Sequence, residues 1–282
     1  MTEDIAKIVQ PAHQRTQQEW EQVQDVAGIA YRSEGTGVPV LFLHGIGGAA
    51  RQFQSQLSHF GQGYRALAWD APGYGESEPL PLVTIDALAG ALGMFIRTLG
   101  LERPVIVGHS LGGMIALRLL AEAPHVARGL VLSQTAAAFG GKDPAWGQRF
   151  VHDRLAPLDA GHSMADLAPG MVAAMVGPGA DPAGIALAED CIAHTPDSTY
   201  RDTVLAMPGF DQRAALPAIV VPVLALAGSV DTSAPPEGMR RMAERIPGAR
   251  FEVLDGVGHL AHLEQPERFN AVLGDFLSTL PR

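Results

Sequence analysis

Residues 104–113 read PVIVGHSLGG, a short apolar run followed by a glycine-rich turn with Ser110 at its centre. The run indicates a buried strand, and the apolar spacing of residues 111–123 indicates a helix that starts directly after the serine. A serine at so tight a strand-to-helix turn adopts a strained backbone conformation, and Gly108 and Gly112 leave the room that it needs. The segment therefore indicates a nucleophilic serine at a G-x-S-x-G turn. The alternative is a glycine-rich turn with an ordinary surface serine.

Short apolar runs recur on both sides of this turn. They cover residues 38–43, 65–69, 129–132, 222–227 and 250–254, and helical periodicity covers residues 84–99, 235–246 and 266–280. Continuous apolar runs are typical of strands that are buried on both faces. Strands that alternate with helices predict right-handed crossovers between parallel neighbours. The sequence thus predicts an α/β fold with a mostly parallel central sheet covered by helices on both sides.

Two stretches depart from this alternation. Residues 135–213 lack a buried-strand pattern and carry apolar helical patches between prolines and glycines. Strand patterns resume after them, so we interpret the stretch as a helical insertion and not as a C-terminal second domain. Residues 1–25 are polar and weakly patterned, which indicates a solvated arm. The predicted organisation is an N-terminal arm (1–25), a core (26–134 and 214–282) and an insertion (135–213).

The composition excludes several classes of protein. The 282 residues include 20 basic and 30 acidic side chains, a net charge of −10, and 47% of them are apolar. This apolar content is sufficient for a sizeable core, and the absence of a basic run argues against a nucleic-acid partner. Cys191 is the only cysteine, so an intramolecular disulfide is impossible.

The hydropathy pattern suggests neither a membrane protein nor a secreted one. The acidic N-terminus has neither the basic start nor the apolar stretch of a secretory signal. The longest apolar tract, residues 216–228, contains two prolines and is shorter than the roughly 20 residues that a bilayer span needs. We therefore expect a cytoplasmic protein with no membrane partner.

A nucleophilic serine needs a base, and the base needs an acid that orients it. His259 follows the last predicted strand, and Asp231 follows the strand before it. Both residues are thus expected at the carboxyl edge of the sheet, where Ser110 also emerges. His262 is expected to start the last helix, and Asp255 is the rival acid. The chain order Ser110, Asp231, His259 is the one associated with a G-x-S-x-G serine.

The negative oxygen that forms during acyl transfer needs two N–H donors. The backbone N–H of Leu111 follows the serine and is the first candidate. The second is Ile46, in the glycine-rich loop after the strand at 38–43. Such a loop could instead bind phosphate, but neither G-x-x-x-x-G-K-[ST] nor G-x-G-x-x-G occurs in it.

These motifs together resemble those of the α/β-hydrolase superfamily, from about residue 29 onward. Four strings carry the resemblance: HG at 44–45, DAPGYGES at 70–77, GHSLG at 108–112, and GH at 258–259 followed by EQPE at 264–267. The resemblance implies the α/β-hydrolase fold, with residues 70–77 as a structural loop. It also implies that the insertion is a helical cap that roofs the pocket.

The resemblance also bears on the chemistry. Serine at position 110 excludes the haloalkane dehalogenase and epoxide hydrolase branches, which use aspartate there. C–C bond hydrolases of this superfamily usually carry Asn before the serine and Trp after the histidine, where this chain has His109 and Leu260. Residues 259–267 and 112–114 are most similar to 3-oxoadipate enol-lactonases and small carboxylesterases.

The resemblance thus implies a hydrolase that cleaves a small carboxylic ester or lactone through an acyl-enzyme. The alternatives are C–C bond hydrolysis of a vinylogous diketone and a cofactor-free haloperoxidase or perhydrolase. A non-enzymatic small-molecule receptor on the same fold is an alternative from another class.

Whether the preferred substrate is charged depends on the cations that the insertion supplies to the pocket. A lactone that carries carboxylates would need cations in the pocket, and Arg149, Arg154 and Arg201 are the candidates. If none of them faces Ser110, an uncharged ester or lactone is the better substrate. We expect no cofactor and no metal, because no set of His, Cys and carboxylate residues has zinc-like spacing. The expected partner is the small-molecule substrate, and a homodimer is left open as an alternative.

Overall fold

An eight-stranded sheet forms the centre of the computed structural model, which describes residues 23–140 and 145–281. The strands are β1 (Gln24–Val26), β2 (Ile29–Glu34), β3 (Pro39–Leu43), β4 (Arg65–Trp69), β5 (Val105–His109), β6 (Gly129–Ser133), β7 (Val223–Gly228) and β8 (Arg250–Leu254). Their order in the sheet is β1-β2-β4-β3-β5-β6-β7-β8. Strand β2 is antiparallel to both of its neighbours, and all other pairs are parallel. The predicted mostly parallel sheet is confirmed.

Ten α-helices accompany the sheet in the described residues. They are α1 (Gln54–Phe60), α2 (Ile85–Thr98), α3 (Leu111–Glu122), α4 (Trp146–Asp159), α5 (Met164–Ala173), α6 (Pro182–Ala193), α7 (Asp197–Ala206), α8 (Pro236–Ala243), α9 (Ala261–Glu264) and α10 (Pro266–Thr279). Helix α2 begins where the sequence predicts, because the Thr84 side chain accepts a hydrogen bond from the N–H of Ala87. None of the described helices is both long enough and apolar enough to cross a bilayer.

Strand β3 shows why the central strands are continuous apolar runs. Every residue of β3 is buried, and successive side chains point to opposite faces of the sheet. Leu41 and Leu43 join the apolar cluster of α2 and α3, whereas Val40 and Phe42 join that of α1 and α10. Both faces of the sheet are therefore covered by helices, and no polar alternation is possible along the strand.

Four helices, α4 to α7, lie between β6 and β7, within the predicted insertion 135–213. The starts of two of them follow from the sequence: Ser163 and Asp166 form a reciprocal cap at α5, and Asp181 caps α6 ahead of Pro182. The helices share an apolar cluster, and Leu260 contributes to it from the segment after β8. This cluster joins the inserted helices to the edge of the sheet at which the loops converge.

The structure departs from the sequence prediction at both ends of the chain. Strand β1 starts at Gln24, inside the predicted arm 1–25, and the rest of that arm lies outside the described residues. His262 does not start the last helix but lies in α9, since the non-helical backbone of Gln265 (φ −145°, ψ 69°) separates α9 from α10. Helix α10 begins at Pro266, whose fixed φ suits the first position of a helix.

Candidate active site

Ser110 lies at the turn between β5 and α3, with a φ of 50° and a ψ of −114°. The glycines on both sides of it are needed because other backbone lies so close. A Cβ on Gly108 would lie 2.6 Å from the carbonyl oxygen of Gly112, and a Cβ on Gly112 would lie 2.3 Å from that of Leu43. Only glycine fits at these two positions, in agreement with the sequence prediction for a strained serine turn.

The structure brings the three residues Ser110, His259 and Asp231 into a continuous chain of contacts. Nε2 of His259 lies 3.0 Å from Oγ of Ser110, and Nδ1 of His259 lies 2.8 Å from Oδ2 of Asp231. Ser110 follows β5, Asp231 follows β7 and His259 follows β8. The parallel strands therefore deliver all three side chains to one edge of the sheet.

Asp231 is buried and well hydrogen-bonded. Its second oxygen, Oδ1, accepts hydrogen bonds from the N–H groups of Ser233 (2.8 Å) and Ala234 (3.1 Å). Burial raises the pKa of Asp231, but the hydrogen bond and charge of His259 and these two N–H groups outweigh it and hold the pKa below its usual value. The carboxylate is thus kept ionised next to the imidazole. Asp255, the rival acid, is exposed and bonds to Ser229 instead.

The two predicted N–H donors lie on either side of Ser110. Leu111 is the first residue of α3, so its N–H has no acceptor within the helix. Ile46 lines the cavity in front of Ser110, and a Cβ on the neighbouring Gly45 would lie 3.0 Å from Cβ of Ser110. The loop after β3 therefore passes close to the serine. His44 fixes this loop, since its Nε2 accepts from the N–H of Ala71 at 2.9 Å.

A second buried histidine, His109, contacts His259 and holds its backbone in place. The His109 ring is buried next to that of His259, and its Nε2 donates a hydrogen bond of 2.7 Å to the carbonyl oxygen of His259. Burial, followed by the charges of His262 and His259, holds the pKa of His109 well below its usual value. A neutral His109 thus fixes the backbone of His259. Within the described residues, no group of three or more His, Cys, Asp or Glu is arranged to hold a metal.

Glu264 helps to position His259, a role that the sequence did not reveal. Its buried carboxylate accepts hydrogen bonds from the N–H groups of Gly258 (2.9 Å) and Leu260 (2.8 Å), which flank His259, and from that of Gly177 (2.7 Å). Glu264 appears in the sequence motif only as part of the string at 264–267. Its role could not be inferred from the sequence because Gly177 is 87 residues away in the chain.

A cavity of about 490 Å³ opens in front of Ser110 and His259, beneath the inserted helices. Most of its lining is apolar, and includes Met114, Phe139, Phe150, Leu167, Met171, Met175, Val204 and Met207. Gln134 and Thr135 line the cavity where the chain leaves β6, and Asp153 and Arg154 line it on α4.

Only one of the three predicted arginines borders this cavity. Arg154 lines it, but its side chain is exposed and its guanidinium lies over the Phe150 ring, 5.3 Å from the ring centre. Arg201 instead forms an ion pair of 2.5 Å with Asp159, and the exposed Arg149 is not among the lining residues. The sequence could not separate the three arginines, because the face of each helix that meets the cavity depends on the packing of the insertion.

The sequence matches a known family over most of its length. Residues 38–266 fit the family described as "alpha/beta hydrolase fold". The chain belongs to the α/β-hydrolase family. The predicted fold and resemblance are thereby confirmed, and the eight-stranded sheet of this α/β-hydrolase agrees with them.

Curated relatives of this α/β-hydrolase have several named activities. The putative carbamate hydrolase RutD of Pseudomonas savastanoi is 29% identical over 88% of this chain and 97% of its own. The putative non-heme bromoperoxidase BpoC of Mycobacterium tuberculosis is 28% identical over 89% of this chain and 98% of its own. Polyketide synthase ThaQ of Burkholderia thailandensis is 27% identical over 86% of this chain, which spans only 12% of that protein.

Solved structures resemble the whole fold. A thermophilic esterase from Thermogutta terrifontis is 29% identical, with a TM-score of 0.80 over 89% of this chain and 93% of its own. The enol-lactonase from Burkholderia xenovorans is 27% identical, with a TM-score of 0.77 over 91% of this chain and 100% of its own. These similarities support hydrolase activity.

Proposed function

We propose that this α/β-hydrolase cleaves a small, uncharged carboxylic ester or lactone through an acyl-enzyme on Ser110. The observation that carries the proposal is the unbroken series of contacts from Ser110 through His259 to Asp231 at the wall of an apolar cavity. A hydroxyl, an imidazole and a buried carboxylate in this order form the constellation that activates serine for acyl transfer.

In the first half of the proposed reaction, Nε2 of His259 takes the proton of the Ser110 hydroxyl while Oγ attacks the substrate carbonyl carbon. Asp231 accepts the Nδ1–H bond of His259 and stabilises the imidazolium that forms. The N–H groups of Leu111 and Ile46 bind the negative carbonyl oxygen, and the dipole of helix α3 points its positive end toward it. His259 then gives its proton to the leaving oxygen as the ester C–O bond breaks.

In the second half, a water molecule releases the acyl group. His259 takes one proton from this water, whose oxygen attacks the acyl carbon. The bond between that carbon and Oγ of Ser110 then breaks, and the proton on His259 returns to Oγ. The products are a carboxylic acid and an alcohol, or one hydroxy acid when the substrate is a lactone.

The cavity lining supports an uncharged substrate. Its surface is mostly apolar, with four methionines among the lining residues, and in the described part of the chain its acidic and basic groups are Asp153 and Arg154, neighbours of opposite sign on α4. The charge of Arg154 is exposed to solvent, so it gives little to a carboxylate held near Ser110. A neutral acyl chain therefore suits the site better than an anionic one. The esterase and the enol-lactonase of similar structure fit this proposal.

A second candidate is perhydrolysis, in which hydrogen peroxide in place of water releases the acyl group as a peracid. The relative named bromoperoxidase, matched over 98% of its length, favours it. C–C bond hydrolysis gains no support, because His109 lies buried against His259 and is not among the cavity-lining residues. The receptor alternative predicts one slow turnover at most.

The test is the hydrolysis of p-nitrophenyl butyrate by Ser110→Ala and by a matched control. Loss of the nucleophile is expected to lower kcat by roughly 10⁴-fold or more, since the triad acts as a unit. The exposed Ser55→Ala, on α1, is expected to keep wild-type activity. Steady turnover by Ser110→Ala would contradict the proposal. Adding hydrogen peroxide and measuring peracid with a dye separates perhydrolysis from hydrolysis.

A further inference from the structure

Gln134 is the first residue after β6, and its backbone is held in an unfavourable conformation. Its φ is 41°, in the left-handed region that disfavours side chains other than glycine. The conformation is held from the side of β7, because the Gln134 N–H donates a hydrogen bond of 2.9 Å to the carbonyl oxygen of Leu226. Such strain tends to occur at functional sites, where the surrounding structure maintains it.

The Gln134 side chain is also only half satisfied. It is fully buried, and its Oε1 accepts a hydrogen bond from the hydroxyl of Ser133. Its Nε2 has no partner within the described residues. A buried donor without an acceptor costs free energy, so its retention calls for an explanation.

Both irregularities coincide only at this residue of the cavity. Within the described residues, unpartnered buried side-chain atoms also occur on Gln56, Trp69, His109 and His262, none of which lines the cavity in front of Ser110. The other non-glycine residues there with positive φ are Ala27, Arg103 and Ser110. Of these three, only Ser110 lines the cavity. Gln134 is therefore singled out by two independent observations.

We infer that Gln134 is a specificity-determining residue that donates a hydrogen bond to an oxygen of the substrate other than the scissile carbonyl. The inference rests on the proposed function and narrows its substrate class to esters or lactones that carry a further ether, keto or hydroxyl oxygen. An uncharged amide suits a neutral oxygen, and among the described residues no acceptor bonds to its Nε2. A small number of polar groups in a mostly apolar pocket is how such sites fix the orientation of a ligand.

The experiment compares pairs of esters that differ by one oxygen in place of one methylene. On the acyl side, p-nitrophenyl pentanoate is paired with p-nitrophenyl 3-methoxypropanoate and with p-nitrophenyl ethoxyacetate. On the alcohol side, butyl butanoate is paired with 2-methoxyethyl butanoate. Each pair is measured with the wild type and with Gln134→Met, which keeps the length of the side chain but removes the donor. The ratio between the two proteins cancels the intrinsic reactivity of each ester.

For at least one pair, Gln134→Met is expected to lower kcat/KM for the oxygen-bearing ester about tenfold relative to its hydrocarbon twin, the effect of one lost hydrogen bond. Met207→Leu, which alters the same cavity without touching a donor, should change both members of a pair by one factor. Gln134→Leu serves as a second variant that lacks the donor in any protonation state, should Gln134→Met fold poorly.

Failure of the role of Gln134 and failure of the proposed function give different results. If Gln134→Met and Gln134→Leu change both members of every pair by a common factor or not at all, the assignment of Gln134 is wrong while ester hydrolysis stands. If the wild type hydrolyses none of these esters, the proposed function fails, and the substrate role of Gln134 fails with it.

Discussion

Ser110 keeps its positive φ because its N–H and its carbonyl oxygen are both hydrogen-bonded, the first to β6 and the second to Thr135. The Ser110 N–H donates to the carbonyl oxygen of Ser133 at 3.0 Å, and the Thr135 hydroxyl donates to the carbonyl oxygen of Ser110 at 2.6 Å. A strained non-glycine residue costs about 1–3 kcal/mol, and these two hydrogen bonds offset part of that cost. The position of the serine is thus maintained by the neighbouring strand as well as by its own turn.

His262 is a residue whose burial makes folding depend on pH. Its ring is fully buried and stacked on Phe53, with 4.6 Å between ring centres, and neither ring nitrogen has a partner within the described residues. Burial first, and then the charges of His259 and His44, lowers the pKa of His262 from 6.5 to about 3. The folded protein therefore cannot take up the proton that the unfolded chain binds below pH 6.5.

From this depressed pKa, the free energy of unfolding should fall as the pH drops below 6.5 toward the folded pKa. His262→Phe, which keeps the stack on Phe53, is expected to remove about 2 kcal/mol of the loss between pH 7 and pH 5. Urea unfolding at both pH values measures it, and the exposed His125→Gln should leave the loss unchanged. An equal pH dependence in His262→Phe and the wild type would refute this account.

At the residue scale, the sequence was informative about residues that a local motif identifies. Ser110, Asp231 and His259 each follow a recognisable strand, so their convergence could be predicted; their catalytic roles stay predictions until measured. Gln134 could not be found in this way, because its positive φ depends on a contact with β7 and its Nε2 is seen to lack a partner only in the folded structure. Residues of the inserted helices, such as Arg154, could not be assigned to the cavity either, because the packing of these helices decides which side chains line it.

Among the elements, the segment after β8 and the end of α5 form one unit around His259. The N–H of His259 donates to the carbonyl oxygen of Met175 at 2.6 Å, and Glu264 binds Gly177 on one side and Gly258 on the other. A Cβ on Gly258 would lie 2.2 Å from the carbonyl oxygen of Met175, so the two segments are in close backbone contact. The position of His259 thus depends on the inserted helices as well as on the sheet.

Glu264→Gln tests this connection. A glutamine can accept through only one of its two terminal atoms, so at least one N–H beside His259 or Gly177 loses its acceptor. Because a small displacement of His259 suffices to impair proton transfer, kcat is expected to fall roughly 10- to 100-fold, with KM within about twofold of the wild type. Steady-state kinetics on ester substrates, normalised to sites titrated with a fluorophosphonate, gives both constants per folded molecule.

Glu267→Gln is the matched control for this prediction. Glu267 lies three residues further along the same segment, but its side chain is exposed. Its replacement should leave kcat and KM at wild-type values. The proposed positioning role of Glu264 would be wrong if Glu264→Gln had the same kcat per titrated site as the control.

The elements themselves were predictable where burial is uniform. Strands β3 to β7 are apolar runs covered on both faces, and each was predicted to within two residues, as was the more exposed edge strand β8. The hairpin of β1 and β2 was not delimited, because β1 is a partly exposed edge strand of three residues with a weak pattern. Helices α1 and α9 were missed because seven and four residues are too few for a clear helical period.

For the whole molecule, topology turns three distant parts of the chain into one site. Parallel strands β5, β7 and β8 end at the same edge of the sheet, and the helices between β6 and β7 cover that edge and enclose the cavity. The sequence predicted the convergence at one edge because strands that alternate with helices run parallel, joined by right-handed crossovers. The shape and polarity of the cavity did not follow, since they depend on how four helices pack.

The most direct measurement is the site of covalent labelling. The protein is incubated with a fluorophosphonate, which reacts with serines activated by a neighbouring base, and is then analysed by intact mass and by peptide mapping. We expect one label per chain, on Ser110, with loss of ester hydrolysis in proportion to labelling and no label on Ser110→Ala. A label on another residue, or full hydrolysis by protein labelled at Ser110, would contradict it.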